Sequence, residues 1–144
     1  MGLEIIQAAI ASRFFTNYPT GWNQAVYPAI AENQPWATSK QPTDKAWCRL
    51  CVRVATSTDA SVDAKARRVA GKVWLQIFVN ENGGSLVAQK MGDEMERIFG
   101  RKTVVSGSET LRFERAETAY VAKTDDGWQQ HRCTVNFLSD AVTP

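Results

Sequence analysis

The stretch KVWLQIFVNENGGSLVAQKMGDEMERIFG, Lys72 to Gly100, decides the fold. Its opening residues alternate. Val73, Leu75, Ile77 and Val79 share one side and Trp74, Gln76 and Phe78 the other, which is the period of a β-strand. From Ser85 to Phe99 the period becomes helical. Val87, Met91, Met95 and Ile98 form a stripe with Phe99 beside it, and Gln89, Lys90, Asp93, Glu94, Glu96 and Arg97 form a wet face. Ser85 can cap the helix start and Gly100 its end. Gly92, mid-helix, costs roughly 1 kcal/mol in propensity.

Strand, glycine turn and helix in this order raise the question of a phosphate cradle. A Walker loop needs Gly-Lys-Ser/Thr at the helix start, whereas Gly83-Gly84-Ser85-Leu86 has no lysine. A dinucleotide fingerprint needs three spaced glycines, and here two are adjacent. The helix N-terminus offers free N–H groups. Asn82-Gly83-Gly84 reads instead as the backbone freedom needed to turn from strand into helix.

Both sides of the Lys72–Val79 strand are largely apolar, so both need covering. The helix over 85–99 covers one. The other cover is either an N-terminal helix or a neighbouring subunit, since aromatics such as Trp74 and Phe78 are enriched in interface cores. Leu3, Ile6, Ile10 and Phe14 predict that N-terminal helix over residues 3–15, ended by Tyr18-Pro19-Thr20-Gly21.

Gln24 to Ile30 reads as a short strand interrupted by Pro28, hence an edge. Residues 31–45 read as a long loop. Trp47 to Val54 is a strand with Cys48, Leu50, Val52 and Val54 on one side and Trp47, Arg49, Cys51 and Arg53 on the other. Thr56 to Ser61 reads as a polar turn. Asp63 to Gly71 reads as a helical turn or a polar strand, the strand if it pairs with the segment after it. A short strand at Thr103 to Val105 precedes two long ones, Leu111 to Ala122 and Trp128 to Leu138, around the hairpin signal Thr124-Asp125-Asp126-Gly127. The expectation is one α+β domain over 1–144: a mainly antiparallel β-sheet packed by an N-terminal helix and a central helix.

The 144 residues suffice for one real core, and the apolar share of 44% is that of a globular protein. Seventeen basic against fifteen acidic residues leave a formal charge of +2, which selects no nucleic-acid partner. The N-terminal MGLEIIQAAIASRFF is broken by Glu4, Gln7 and Arg13 and is too short and polar to span a bilayer. Three cysteines fit a reducing cytoplasm. The reading is a soluble, unexported protein.

Candidate chemistry is sparse. Cys48 and Cys51 have half the spacing of a zinc knuckle, but residues three apart on a strand face opposite sides. His131 and Cys133 share a side of the last strand and are the other candidate ligands. His131, the one histidine, would have to serve any Ser-His-Asp or Cys-His pair; mid-strand in QQHRCTVNF it reads as a partly exposed histidine. Asp93, Glu94 and Glu96 read as helix solvation. Arg49 and Arg53, with Arg67 and Arg68 nearby in sequence, could line a DNA-contacting surface, or form a solvated face ion-paired to Glu114 or Glu117. No catalytic residue, cofactor site or metal site is assigned.

The order of segments resembles a known family. AVYPAIAENQPW (Ala25 to Trp36), WCRLCVRV, AGKVWLQIFVNENGGSLVAQKMGDEMERIF and GWQQHRCTVNFLSD (Gly127 to Asp140), behind an N-terminal helix, resemble the tail terminator proteins of long-tailed bacteriophages, also called tail completion or minor tail proteins. The resemblance covers nearly the whole chain and rests on structural segments. It implies a hexameric ring on the head-proximal end of the tail tube. The ring ends tube polymerisation, offers the head-neck complex a joining surface, and passes DNA through its centre. It implies a virion protein assembled in the host cytoplasm, with the tail tube protein, the head-neck connector protein and its own copies as partners, no membrane, no cofactor and no enzymatic activity. Carried onto this chain, Trp74, Phe78, Asn80, Glu81, Asn82, Gly83 and Gly84, and the loop 31–45, become candidate contacts with neighbours or the tube. Arg49 and Arg53 become candidates for the DNA-facing lumen. The competing readings are a head-tail connector or neck protein, a small hydrolase using His131 and a cysteine, and a DNA-binding module.

Gly83→Val or Gly84→Val is expected to lower stability by restricting the turn, with thermal denaturation as the check. Tight, specific ATP binding by the wild-type chain would reverse this reading.

Overall fold

The alternation and length of the strand through Trp74 organise everything around it. The computed structural model describes residues 2–21, 29–31, 46–59, 66–80, 84–106, 109–123 and 127–142. In chain order these give α1 (Gly2–Gly21), β1 (Ala29–Ala31), β2 (Trp47–Asp59), β3 (Ala66–Asn80), α2 (Gly84–Phe99), β4 (Thr103–Ser106), β5 (Glu109–Phe113), β6 (Glu117–Lys123) and β7 (Trp128–Val142). β3 lies between two antiparallel partners. Its register with β7 runs unbroken from Ala66↔Val142 to Asn80↔Trp128. Its register with β2 runs from Trp47↔Phe78 to Val54↔Gly71, shifts at a bulge, and resumes to Asp59↔Arg67. β1 pairs parallel with Cys48–Leu50 at the edge. β5 and β6 share the far side of β7, β5 along Phe137–Ala141 and β6 along Gln129–Thr134, and β4 lies outside β5. Among the described residues this is one mainly antiparallel seven-stranded sheet in a single-domain α+β fold.

One face of the sheet carries the core. Cys48, Leu50 and Val52 of β2, Val73, Leu75, Ile77 and Val79 of β3, and Cys133, Val135 and Phe137 of β7 are all buried there. Both helices pack on this same face. α1 contributes Ile6, Ile10, Phe14 and Tyr18, and α2 contributes Ala88, Met91, Met95, Ile98 and Phe99. Each large side chain so buried contributes about 1.5–3 kcal/mol. Two arginines clasp the helices. Arg13 Nε donates to the Ile98 carbonyl at 2.7 Å, near the end of α2. Arg97, held by Glu94 at 2.6 Å, donates to the Asn17 carbonyl of α1 at 2.7 Å.

Several elements differ from the sequence expectation. α1 does not stop at residue 15. Tyr18 prolongs the buried stripe and stacks on Phe14 at 5.0 Å, and Asn17 Nδ2 donates to the Arg13 carbonyl. β2 continues to Asp59 because residues from Ala66 onward belong to β3 and supply its partner; the Val54/Thr56 bulge absorbs the irregular register. The expected strand Leu111 to Ala122 is two strands. Phe113 N–H turns to the Lys102 carbonyl and Ala116 N–H to the Glu96 carboxylate, breaking the ladder between them. Glu96 is therefore half-buried and bonded, and Glu94 is half-buried as well, whereas both were expected on a wet face. The left-handed position after α2 is Arg101, at φ 56°, and Gly100 instead leaves room for the Glu96 carboxyl group. Residues 22–28, 32–45, 60–65 and 124–126 lie outside the described residues. These include most of the loop 31–45 and the hairpin tip, although Gly127 has the positive φ of 89° that a tight turn uses.

Gly92 is required by space. A Cβ there would run into Thr118 Oγ1, so the glycine lets β6 cross α2 closely. Gly71 is also tightly enclosed. A Cβ would lie 2.5 Å from the Arg53 carbonyl oxygen and 2.6 Å from Phe137 Cζ. Gly71→Ala is accordingly expected to lower the melting temperature, at a cost of about 1–3 kcal/mol from overpacking. A variant melting at or above the wild type would contradict this packing.

Candidate interaction surface

The sheet face away from the helices is built by the same alternation. On β2 it carries Trp47, Arg49, Cys51 and Arg53; on β3, Lys72, Trp74, Gln76 and Phe78; on β7, Gln130, Arg132 and Thr134. Register brings Trp47 beside Phe78, and the rings stack at 4.3 Å and 18°. The Arg49 guanidinium lies 5.4 Å from the Trp47 ring centroid. Arg53 and Arg132 approach Trp74 from neighbouring strands at 5.3 and 5.2 Å. Each such contact contributes about 0.5–1 kcal/mol where solvent-exposed and also orients the cation. Trp74 and Phe78 are half-buried, and Trp74 Nε1 has no hydrogen-bond partner among the described residues.

At the other end of this face Asp140 accepts from Arg68 and from Arg112, each at 2.9 Å. The Arg68 hydrogen bond holds the Asp140 carboxyl below its usual range, helped by the charges of both arginines. These pairs are exposed and add little stability.

The sequence candidates divide between this face and the core. Trp74, Phe78, Arg49 and Arg53 share the one face, so the expected interface and the expected lumen are a single surface. Of the two covers expected for it, the N-terminal helix is not one, because the α1 stripe joins the core on the opposite face. Arg49 and Arg53 stack on tryptophans where ion pairs to Glu114 or Glu117 were considered. The Glu114 carboxylate takes the Asn136 amide at 3.4 Å instead. Asn80 ends β3 and Gly84 opens α2, while Glu81, Asn82 and Gly83 lie outside the described residues. Arg132 was missed. Its alternation opposite His131 and Cys133 was readable, but its neighbour Trp74 comes from a strand pairing that no local pattern states.

His131, Cys48 and Cys133 are buried on the helix side of the sheet. His131 is only 5% exposed, between Ile77 and the edge of the Tyr120 ring at 5.3 Å, where a partly exposed histidine was expected. The reason is that β6 and β7 run alongside each other. Burial lowers the His131 pKa, and its Nε2 has no partner among the described residues. Burial pushes the Cys48 thiol up to about 12, against a weak bond to the Tyr18 hydroxyl. Cys133 rises to about 11, again through burial. A nucleophilic cysteine needs its thiolate, so both thiols are inert near neutrality. Cys51 faces the other way, toward Gln76 Oε1 at 3.8 Å. Among the described residues no three His, Cys, Asp or Glu side chains gather as metal ligands. An open groove of about 560 Å³ runs between α1 and the sheet, lined by residues that include Glu4, Gln7, Leu50 and Val52. No described helix is long and apolar enough to cross a membrane.

The basic and aromatic sheet face thus lies opposite a core that holds His131, Cys48 and Cys133. Similarity to known proteins gives the particular family. The family model described as phage tail terminator protein matches residues 5–137, and the chain belongs to that family of structural phage tail proteins. A solved structure has the same fold, with a TM-score of 0.71 at 19% identity, covering 100% of this chain and 99% of the other. No curated protein matches.

His131 generates a pH prediction. Above its ordinary pKa of 6.5 the imidazole is neutral in both the folded and the unfolded chain. Below 6.5 the unfolded chain takes the proton first, so stability falls as pH drops and levels off only below the lowered folded pKa. Urea denaturation across this range is expected to show the slope in wild type and lose it in His131→Gln; an unchanged slope would assign it elsewhere.

Proposed function

We propose that identical copies of this chain form a hexameric ring on the head-proximal end of the phage tail tube. The ring ends tube polymerisation and offers the surface to which the head-neck complex joins, and DNA passes through its centre. The observation that carries this reading is membership of the tail terminator family over residues 5–137. The partners are further copies of the chain, the tail tube protein and the head-neck connector protein, and the location is the virion tail after assembly in the host cytoplasm. Such a role rests on interfaces and asks for no cofactor or nucleophile.

A closed ring needs two different complementary patches on each subunit, a heterologous contact whose rotation closes. The Trp74–Phe78 face supplies one of them in this reading. The strand-to-helix turn from Asn80 to Gly84 supplies contacts at the end of the same strand, as loops on a rigid sheet commonly do.

Electron microscopy of particles from a phage with this gene disrupted tests the role. The expected outcome is over-long tubes that fail to join filled heads. Tails of normal length beside leaking heads would move the protein to the neck, and normal infectious particles would remove it from assembly.

A further inference from the structure

We infer that the sheet face opposite the helices docks an acidic protein surface, whose carboxylates meet Arg49, Lys72 and Arg132 around the Trp74–Phe78 centre. The inference concerns this face alone and goes beyond the ring, since it states the chemistry of what the face receives.

Charge is the first observation. The ladders set Arg53 opposite Lys72, and Arg49 and Arg132 on either side of Gln76, so four cations occupy two neighbouring rows. Among the described residues Arg49, Lys72 and Arg132 have no carboxylate within ion-pair distance. The same face shows the contrary arrangement further along, where Asp140 takes both Arg68 and Arg112. Among the described residues one end of the face thus meets the chain's own carboxylate, while Arg49, Lys72 and Arg132 at the other end meet none. Like charges gathered on rigid strands repel one another, and a negative partner relieves this.

Orientation is the second. Arg49, Arg53 and Arg132 lie against indole rings at 5.2–5.4 Å. Stacking holds the Arg49 and Arg132 guanidiniums in place and leaves their N–H edges for a carboxylate, which each can meet with two parallel hydrogen bonds, whereas Arg53 already donates to the Val52 carbonyl at 2.9 Å. Less side-chain freedom is then lost on binding.

The aromatics decide between protein and nucleic acid. Trp74 and Phe78 are half-buried among the cations. Arginine with tryptophan is the composition of a protein-interface hot spot, where charged contacts surround a core that excludes water. A DNA duplex would use the cations for its phosphates, but its stacked bases would leave these rings against solvent.

The test uses two labelled probes, a peptide of alternating glutamate and leucine and a short DNA duplex, titrated by fluorescence anisotropy at low and high salt. The proteins are wild type, Arg49→Glu with Arg132→Glu, and the milder Arg132→Gln, each checked for an intact thermal transition. The peptide is expected to bind wild type more tightly than the duplex does. The double reversal is expected to weaken it by about tenfold or more, and Arg132→Gln by less. Tighter binding of the duplex with a steep salt dependence would overturn the inference in favour of nucleic acid. So would binding of neither probe by chains that sediment singly, or equal peptide binding by wild type and the folded reversal variant. Where the wild type sediments as a ring that occupies the face, the reversal is expected to break the ring, and a ring left intact without peptide binding would overturn the inference. Sedimentation of the same samples reads ring formation separately: absence of a ring with charge-dependent peptide binding intact sinks the ring and leaves this inference standing.

Discussion

The unbroken antiparallel ladder between β3 and β7 is the constraint on which the rest depends. Both strands are 15 residues long, and every residue of one has a partner in the other. Side chains alternate across a strand, so a slip of one residue would move every core residue to the opposite face. The ladder therefore decides which residues meet the helices and which do not. β2 takes its parity from β3, and β5 and β6 take theirs from β7.

Placing both helices on one face has a chemical consequence. The covered face becomes a dry core in which His131, Cys48 and Cys133 keep their uncharged forms. The face away from the helices keeps the cations. Its tryptophans give the arginines something to lie on, so charge and apolar area are interleaved rather than separated. One molecule thus has a chemically quiet interior and a structured exterior, which suits a protein that works by contact.

The helix layer is fixed to the sheet by polar locks as well as by apolar burial. The Arg13 and Arg97 contacts tie α1 to α2 in both directions. Glu96 binds the Ala116 amide where the chain passes from β5 to β6. Gly92 lets Thr118 approach the helix. A carboxylate and a missing side chain thereby set how far α2 stands from the strands, and two guanidiniums hold α1 beside it.

Much of this was legible in the sequence. The alternation of Val73, Leu75, Ile77 and Val79, the helical stripe through Met91, Met95 and Ile98, and the long strand after Gly127 determined an α+β protein with a mainly antiparallel sheet, because side-chain periodicity is a local property. The likeness of the segments to tail terminators was legible for the same reason. Other features were decided only by the tertiary structure. α1 shares a face with α2, opposite the side of the sheet that carries Trp74 and Phe78. Leu111 to Ala122 breaks in two because Glu96, far along the chain, captures the Ala116 amide. His131 is buried because β6 lies beside it, and Arg132 meets Trp74 through a pairing between β3 and β7. The physical reason is common to all four: local pattern tells each residue which side of its own element it occupies, while its neighbours come from strand order and register, which form only when distant segments pack.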